Sequence, residues 1–269
     1  MNKLRALLLC LGMLAGVAAA APKTLRTIFP AAETGFDPAT ARDLYSNHIT
    51  QAIFETLYTY DYLARPARLV PLTAVALPEV SADGKTYTIR LKRGILFTPD
   101  AAFKGRRREL TMADYVYSWK RLFDPKLGLP HAWLFDGKVV GFDQLAADAK
   151  RTGAFDYAAA VEGFEVVDPY TLRIHLTHPD FNLGMILAHD PTSAVAREVV
   201  AAYGDAKGEV ADHPVGTGYY TLGEWVRGNR IVLERNRAHL PETWDFKGNG
   251  TPDDERIIAQ MKGKRIPQV

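Results

Sequence analysis

The chain has 269 residues, 47% of them hydrophobic and 24% charged, with 21 Gly and 16 Pro spread along its length. This is ordinary globular composition and excludes a disordered, collagen-like or coiled-coil polypeptide. A formal charge of +2 gives no reason to propose nucleic acid as a partner, and one cysteine, Cys10, excludes an intrachain disulfide. No repeat at a period of about 20–50 residues points to a solenoid, and the length allows one large domain or two small ones.

Met1 to Ala21 carries Lys3 and Arg5, then an apolar run from Ala6 to Val17, then four alanines. That order is the pattern of a secretory signal peptide cut after Ala20 or Ala21. The run is shorter than the span of about 20 apolar residues that a membrane helix needs. Leu7, Leu8 and Leu9 precede Cys10 where a lipoprotein site wants small residues, which argues against a lipid anchor. Lys3 and Arg5 are the whole formal excess of base over acid, so the mature chain is expected to be neutral.

Beyond the leader, Leu25 to Phe29 reads as a first short strand, followed by a turn holding Gly35 and Asp37-Pro38. From Asp43 to Leu57, the residues Leu44, Ile49, Ile53, Phe54 and Leu57 recur at helical spacing. Asp83-Gly84 then predicts a hairpin into a strand from Thr86 to Leu91, where Tyr87, Ile89 and Leu91 alternate with Thr88 and Arg90. Thr111 and Asp114 form a capping-box pattern that starts a helix through Val116, Trp119 and Leu122, stopped by Asp124-Pro125. A second hairpin joins Glu165–Val167 to Thr171–Leu176 through Asp168-Pro169-Tyr170. A helix is expected near Ala194 to Tyr203, and two strands, Tyr219–Trp225 and Arg230–Glu234, flank Gly228-Asn229. Strands and helices interspersed in this way predict an α/β or α+β domain with a mixed sheet and flanking helices. After Glu234 the chain is rich in Asp, Lys, Gly and Pro, with only Ile257, Ile258 and Met261 as a weak apolar group, and reads either as a loose tail or as part of something larger.

Signs of covalent chemistry are sparse. None of the four serines has the flanking glycines of a nucleophile elbow. Gly84-Lys85-Thr86 lacks the glycine five positions earlier that a phosphate loop needs, and it opens a strand. Gly216-Thr217-Gly218 has Thr221 where a dinucleotide fingerprint has its third glycine. His175 and His178 fall on opposite faces of a strand and cannot share one metal ion. Glu33, Asp37 and the run Asp253-Asp254-Glu255 read as turn and surface acids, and Lys104 with Arg106, Arg107 and Arg108 as a solvated loop. His48 lies beside the apolar face of its helix, as a capped or partly buried imidazole does.

Several segments, in order and in register, resemble the family 5 extracellular solute-binding proteins, the dipeptide- and oligopeptide-binding components of ABC transporters. They are Glu33-Thr34-Gly35-Phe36-Asp37-Pro38, Ile53-Phe54-Glu55-Thr56-Leu57-Tyr58, the hairpin and basic turn from Asp83 to Ile95, Leu110 to Val116, Pro214-Val215-Gly216-Thr217-Gly218-Tyr219-Tyr220, and Arg230 to Asn236. Tyr219 stands where the family usually has proline, Thr98-Pro99-Asp100 replaces a His-Asp-Gly turn, and family members are roughly twice as long.

The resemblance implies a type II periplasmic-binding-protein-like fold of which this chain is the first lobe, with an inserted α+β subdomain and without the second lobe. Residues 1–21 would then be the signal peptide, 22–237 the solute-binding lobe, and 238–269 a truncated linker. It implies a periplasmic monomer that captures a small peptide or similar solute for an ABC transporter permease, without a cofactor and without enzymatic activity. The cleft-lining candidates are Glu33, Thr34, Gly35 and Phe36, then Trp133 and Phe135 from the insertion, with core packing as the other reading of each aromatic. A non-binding truncated product, a periplasmic hydrolase and capture of haem by His48 or His131 remain open alternatives.

Overall fold

The computed structural model describes residues 24–241 and 243–264. The expected signal peptide lies outside the described residues. Six α-helices and eight strands alternate through them: α1 (Leu44–Ile53), β1 (Tyr58–Tyr60), β2 (Leu69–Pro71), β3 (Glu79–Val80), β4 (Thr86–Arg90), α2 (Met112–Arg121), α3 (Phe142–Thr152), β5 (Phe164–Asp168), β6 (Thr171–His175), α4 (Leu183–Ile186), α5 (Arg197–Tyr203), β7 (Tyr220–Val226), β8 (Arg230–Arg235) and α6 (Pro252–Met261). The strands form a four-stranded sheet of order β3-β4-β6-β5 and two hairpin ribbons, β1-β2 and β7-β8, and every pairing is antiparallel. No helix among the described residues is long and apolar enough to cross a membrane.

The four-stranded sheet carries the larger core. Its period-two pattern places Tyr87, Ile89, Leu172 and Ile174 on one buried face, with Tyr87 opposite Ile174 and Ile89 opposite Leu172. Helix α2 lies against that face. Asp114 accepts from the Thr111 amide at 2.8 Å and starts the helix where the capping box predicts. Trp119 projects from α2 into an aromatic cluster, with ring centres 5.3 Å from Phe135 and 5.4 Å from Phe164, and its indole Nε1 donates to the Thr192 carbonyl at 3.0 Å. Complete burial of a ring this large, with its one polar atom satisfied, is what makes an aromatic a strong core residue.

A second, smaller core joins Phe36, Ile49, Ile53, Phe54 and Val195, covered by Leu222, Trp225, Ile231 and Leu233 from the β7-β8 ribbon. The glycines of Gly216-Thr217-Gly218 fit the ribbon to α1. The Gly218 amide donates to the Ile53 carbonyl at 2.8 Å, and a Cβ on Gly216 would sit 2.1 Å from that same oxygen. The motif therefore serves backbone approach at the end of a helix.

Four local readings change. Leu25–Phe29 forms no strand: Leu25 and Ile28 are exposed, no described strand pairs with the segment, and only Phe29 finds packing, 5.0 Å from the Tyr45 ring. Helix α1 stops at Ile53 because Phe54 turns extended, so Phe54 and Leu57 enter the core from the following segment. Helix α3 carries Phe142, Leu145 and Ala149 on its buried side between Gly141 and Gly153 and was not expected. The segment after β8 is tied down. The Asp61 carboxylate accepts from the Lys247 and Gly248 amides, Arg68 bridges Asp61 to the Gly248 carbonyl, and α6 begins at a Thr251–Asp254 capping box.

Candidate functional site

The turn before α1 is held by side chains at its two ends. The Ser46 hydroxyl accepts the Thr34 amide at 2.9 Å, and Thr34 Oγ1 donates to Asp43 at 2.7 Å. Asp43 also accepts from the Tyr45 and Ser46 amides as the N-cap of α1. Burial raises the Asp43 carboxyl, but these hydrogen bonds outweigh that and hold it below the ordinary range. Gly35 packs against Ala211, where a Cβ would lie 2.7 Å from the Ala211 side chain, so this position has no room for one.

Asp37, two residues further on, is fully buried and is no surface acid. Arg121 from the end of α2 donates to both of its oxygens, at 2.9 and 2.6 Å, and the Ala39 and Val210 amides complete the set. Burial pushes the Asp37 carboxyl up; the Arg121 charge and these four hydrogen bonds more than reverse that and lower it. A buried ion pair in which both carboxylate oxygens are hydrogen-bonded fixes the turn's position relative to α2. The basic cluster changes in a similar way: Lys104, Arg106 and Arg107 are exposed, whereas Arg108 is half-buried and holds both Asp114 and Glu198.

Beside this turn lies a cleft of about 440 Å³. Thr34, Gly35, Thr40 to Asp43, Lys126 to Gly128, Lys207 and Glu209 line it, with the Thr40 hydroxyl donating to Glu209 and the Arg42 guanidinium reaching Gly128. The volume is within the range of about 300–1,000 Å³ in which small-ligand sites fall.

The sequence candidates separate on this geometry. Thr34 and Gly35 border the cleft. Glu33 stands next to them, half-buried, with its carboxylate taken by the Trp225 indole N–H. Phe36 is fully buried, 4.3 Å from the Trp225 ring, and Phe135 is fully buried in the aromatic cluster on α2. Both present no surface to a solute and are corrected to core residues, because large rings flanked by α1, α2 and the ribbon are excluded from water more completely than a cleft wall permits. Trp133 is 59% exposed, with its edge toward His189 at 5.9 Å, and is not part of the cleft lining.

The histidines show no grouping with other ligating side chains among the described residues that would hold a metal ion. His48 is exposed. His131 donates from Nε2 to the Ala41 carbonyl at 2.8 Å, and burial lowers its pKa, so it is a neutral strut behind the cleft wall. His175 sits between Thr86 and Glu165 on the sheet surface.

Sequence reasoning missed Arg42, Lys126 and Lys207, which the cleft brings together from three separate segments. It also missed Trp225 as the residue that holds Glu33. No local pattern announces either grouping.

Residues 68–261 match the bacterial extracellular solute-binding proteins, family 5 (middle part). The chain belongs to this family. Among curated relatives, it is 28% identical to the periplasmic oligopeptide-binding protein OppA of Escherichia coli K12, over 84% of this chain and 38% of that protein. Similar identity, 28%, links it to di/tripeptide-binding protein 2 of Pseudomonas aeruginosa, over 91% of this chain and 43% of that one. Among solved structures, that of Haemophilus influenzae OppA in complex with the peptide RPPGFSPFR superimposes with a TM-score of 0.62 at 26% identity, covering 78% of this chain and 37% of that chain. The fold is thus that of the family 5 binding proteins, and the chain spans well under half the length of the curated relatives it matches. The match begins and ends inside the described fold and includes α6, which lies beyond the boundary at residue 237 expected from sequence.

Proposed function

We propose that this chain supplies one wall of a solute-capture site in a periplasmic binding protein, taking a small peptide or similar solute for an ABC transporter permease and working by binding alone, as a monomer. The observation that carries this reading is the cleft beside Thr34 and Gly35 in a chain of family 5, where the turn that borders it is fixed from both sides by Ser46, Asp43 and the Asp37–Arg121 pair. A rigid rim next to an open volume suits recognition, because little conformational entropy is lost when a ligand docks. Glu33, Thr34 and Gly35 are the contact residues in this reading, and Trp133 is an exposed aromatic available to a larger solute.

One wall leaves a ligand open to water on its other side, and polar contacts that remain hydrated are weak. Calorimetry with di- and tripeptides is therefore expected to give millimolar binding or none for this chain. A micromolar dissociation constant would overturn the one-wall reading, and release of amino acids from the peptides would replace it with a hydrolase.

A further inference from the structure

The rim of the cleft is also held from a side that contributes nothing to its lining. Strand β7 ends at Val226, and Trp225 lies together with Arg227 just past that end, the guanidinium 3.9 Å from the centre of the indole ring. Both reach the rim. The indole packs on the Phe36 ring, and its N–H donates to the Glu33 carboxylate. Arg227 donates from Nη1 to the Thr34 carbonyl at 3.4 Å and from Nη2 to Asp212 at 2.6 Å, and the neighbouring Ala211 carbonyl accepts the Phe36 amide at 3.0 Å. Thr34 is thereby held through its amide by Ser46, its hydroxyl by Asp43 and its carbonyl by Arg227. Neither Trp225 nor Arg227 lines the cleft. The Arg227–Asp212 pair is open to water, with 58% and 74% of the two side chains exposed, so it adds little to stability. What it adds is direction, because a planar guanidinium laid on an indole is held in one orientation and its donors can then fix a carbonyl.

We infer that Trp225 and Arg227 are positioning residues for solute capture: the end of β7 sets where Glu33 and Thr34 stand at the rim, and affinity depends on a ribbon that the solute does not touch. The inference rests on the capture reading above and adds the residues that prepare the site. Without Arg227, the peptide unit between Thr34 and Gly35 keeps the Gly35 amide on Ser46 at 3.3 Å but loses the donor to its carbonyl. The freedom regained has to be given up again when solute docks. Affinity falls although no contact with the solute has been removed. A neighbouring pair on the same ribbon provides the contrast: Arg230 and Glu224 join at 3.0 and 2.8 Å, are similarly exposed, and make these hydrogen bonds with each other and not with the rim.

The test compares three variants of the isotope-labelled chain: Arg227→Gln, Trp225→Phe and, as the matched control, Arg230→Gln. Three quantities are read: the urea midpoint, exchange of the Thr34 and Gly35 amide protons with water, and the response of those amide signals to trialanine, which registers contacts too weak for calorimetry. Arg227→Gln is expected to leave the midpoint in place, to speed exchange at Thr34 and Gly35, and to weaken trialanine about fivefold, the scale of one group that must be ordered on binding. Trp225→Phe keeps a ring against Phe36 and removes the N–H to Glu33, and should weaken trialanine by a similar factor. Arg230→Gln should change none of the three. Trialanine affinity equal to that of the parent chain in either Arg227→Gln or Trp225→Phe overturns the inference, and so does equal weakening by Arg230→Gln. Both results leave capture standing, since the parent chain still binds. Thr34 and Gly35 signals of the parent chain that ignore trialanine would instead overturn capture at this rim, and the inference with it.

Discussion

The two cores of this lobe are built on different physics. Around the four-stranded sheet, Trp119, Phe135, Phe142 and Phe164 fill an apolar interior whose stability comes from area removed from water. Around α1 and the β7-β8 ribbon the apolar cluster is small, and position is set by directed contacts: Asp37 on Arg121, Ser46 on Thr34, and the glycines on the Ile53 carbonyl. The first region is a platform. The second, whose entry turn borders the cleft, holds its shape through geometry and charge, and so responds to pH and to single atoms in ways that the platform does not.

The strongest expected effects separate the two directly. Trp119→Ala removes the centre of the aromatic cluster and should cost about 3–5 kcal/mol in urea unfolding. Asp37→Ala leaves Arg121 charged and buried without its partner and should cost a similar ~3–5 kcal/mol. They differ in pH dependence. The folded pKa of Asp37 is lowered from 3.8, so its contribution is complete above that value and is lost as pH falls through the lower folded value. The Asp37→Ala penalty should therefore shrink below pH 3.8 while the Trp119→Ala penalty holds. Equal pH profiles for the two variants would erase the distinction between the regions.

Gly216→Ala comes next. The added methyl would meet the Ile53 carbonyl, and pushing the ribbon off α1 should cost about 3 kcal/mol, toward the upper end for overpacking. Tyr58→Phe has the opposite sign. The Tyr58 hydroxyl is buried without a hydrogen-bond partner, so its removal should stabilise the fold by about 1 kcal/mol, seen as a higher urea midpoint with unchanged slope. Trp133→Ala is the smallest: an exposed ring contributes less than ~0.5 kcal/mol to stability, and any loss it causes should appear in solute binding alone.

What was legible in the sequence follows the same division. Both sheet hairpins, the Thr111 capping box and the β7-β8 ribbon rest on patterns within a few residues, and each stands where the pattern places it. Helix α3 was readable too, from Phe142, Leu145 and Ala149 and the glycine that follows its end, but it lacks a polar N-cap, which is the usual start signal. Helix α6 has its signal in Thr251-Pro252-Asp253-Asp254, hidden by the polar composition around it. The cleft was not readable. Arg42, Lys126 and Lys207 meet only because α1, α2 and the turn after α5 are docked together, and Asp37 is distinguished from an ordinary turn acid only by an arginine 84 residues away. Phe36 and Trp133 show the limit most plainly: both are aromatic residues among the cleft-lining candidates, yet one is sealed in a core and the other open to water.

On the proposed reading, solute meets this lobe at the rim before α1 and not on the sheet platform. Photo-crosslinking with a tripeptide that carries benzoylphenylalanine captures even millimolar contacts, and mass spectrometry of the digest locates them. Adducts concentrated between residues 33 and 43 and around residues 126–128, reduced by competing trialanine, are the expected result. Adducts confined to β4, β5 and β6, or insensitive to the competitor, would rule out the rim as the place of capture.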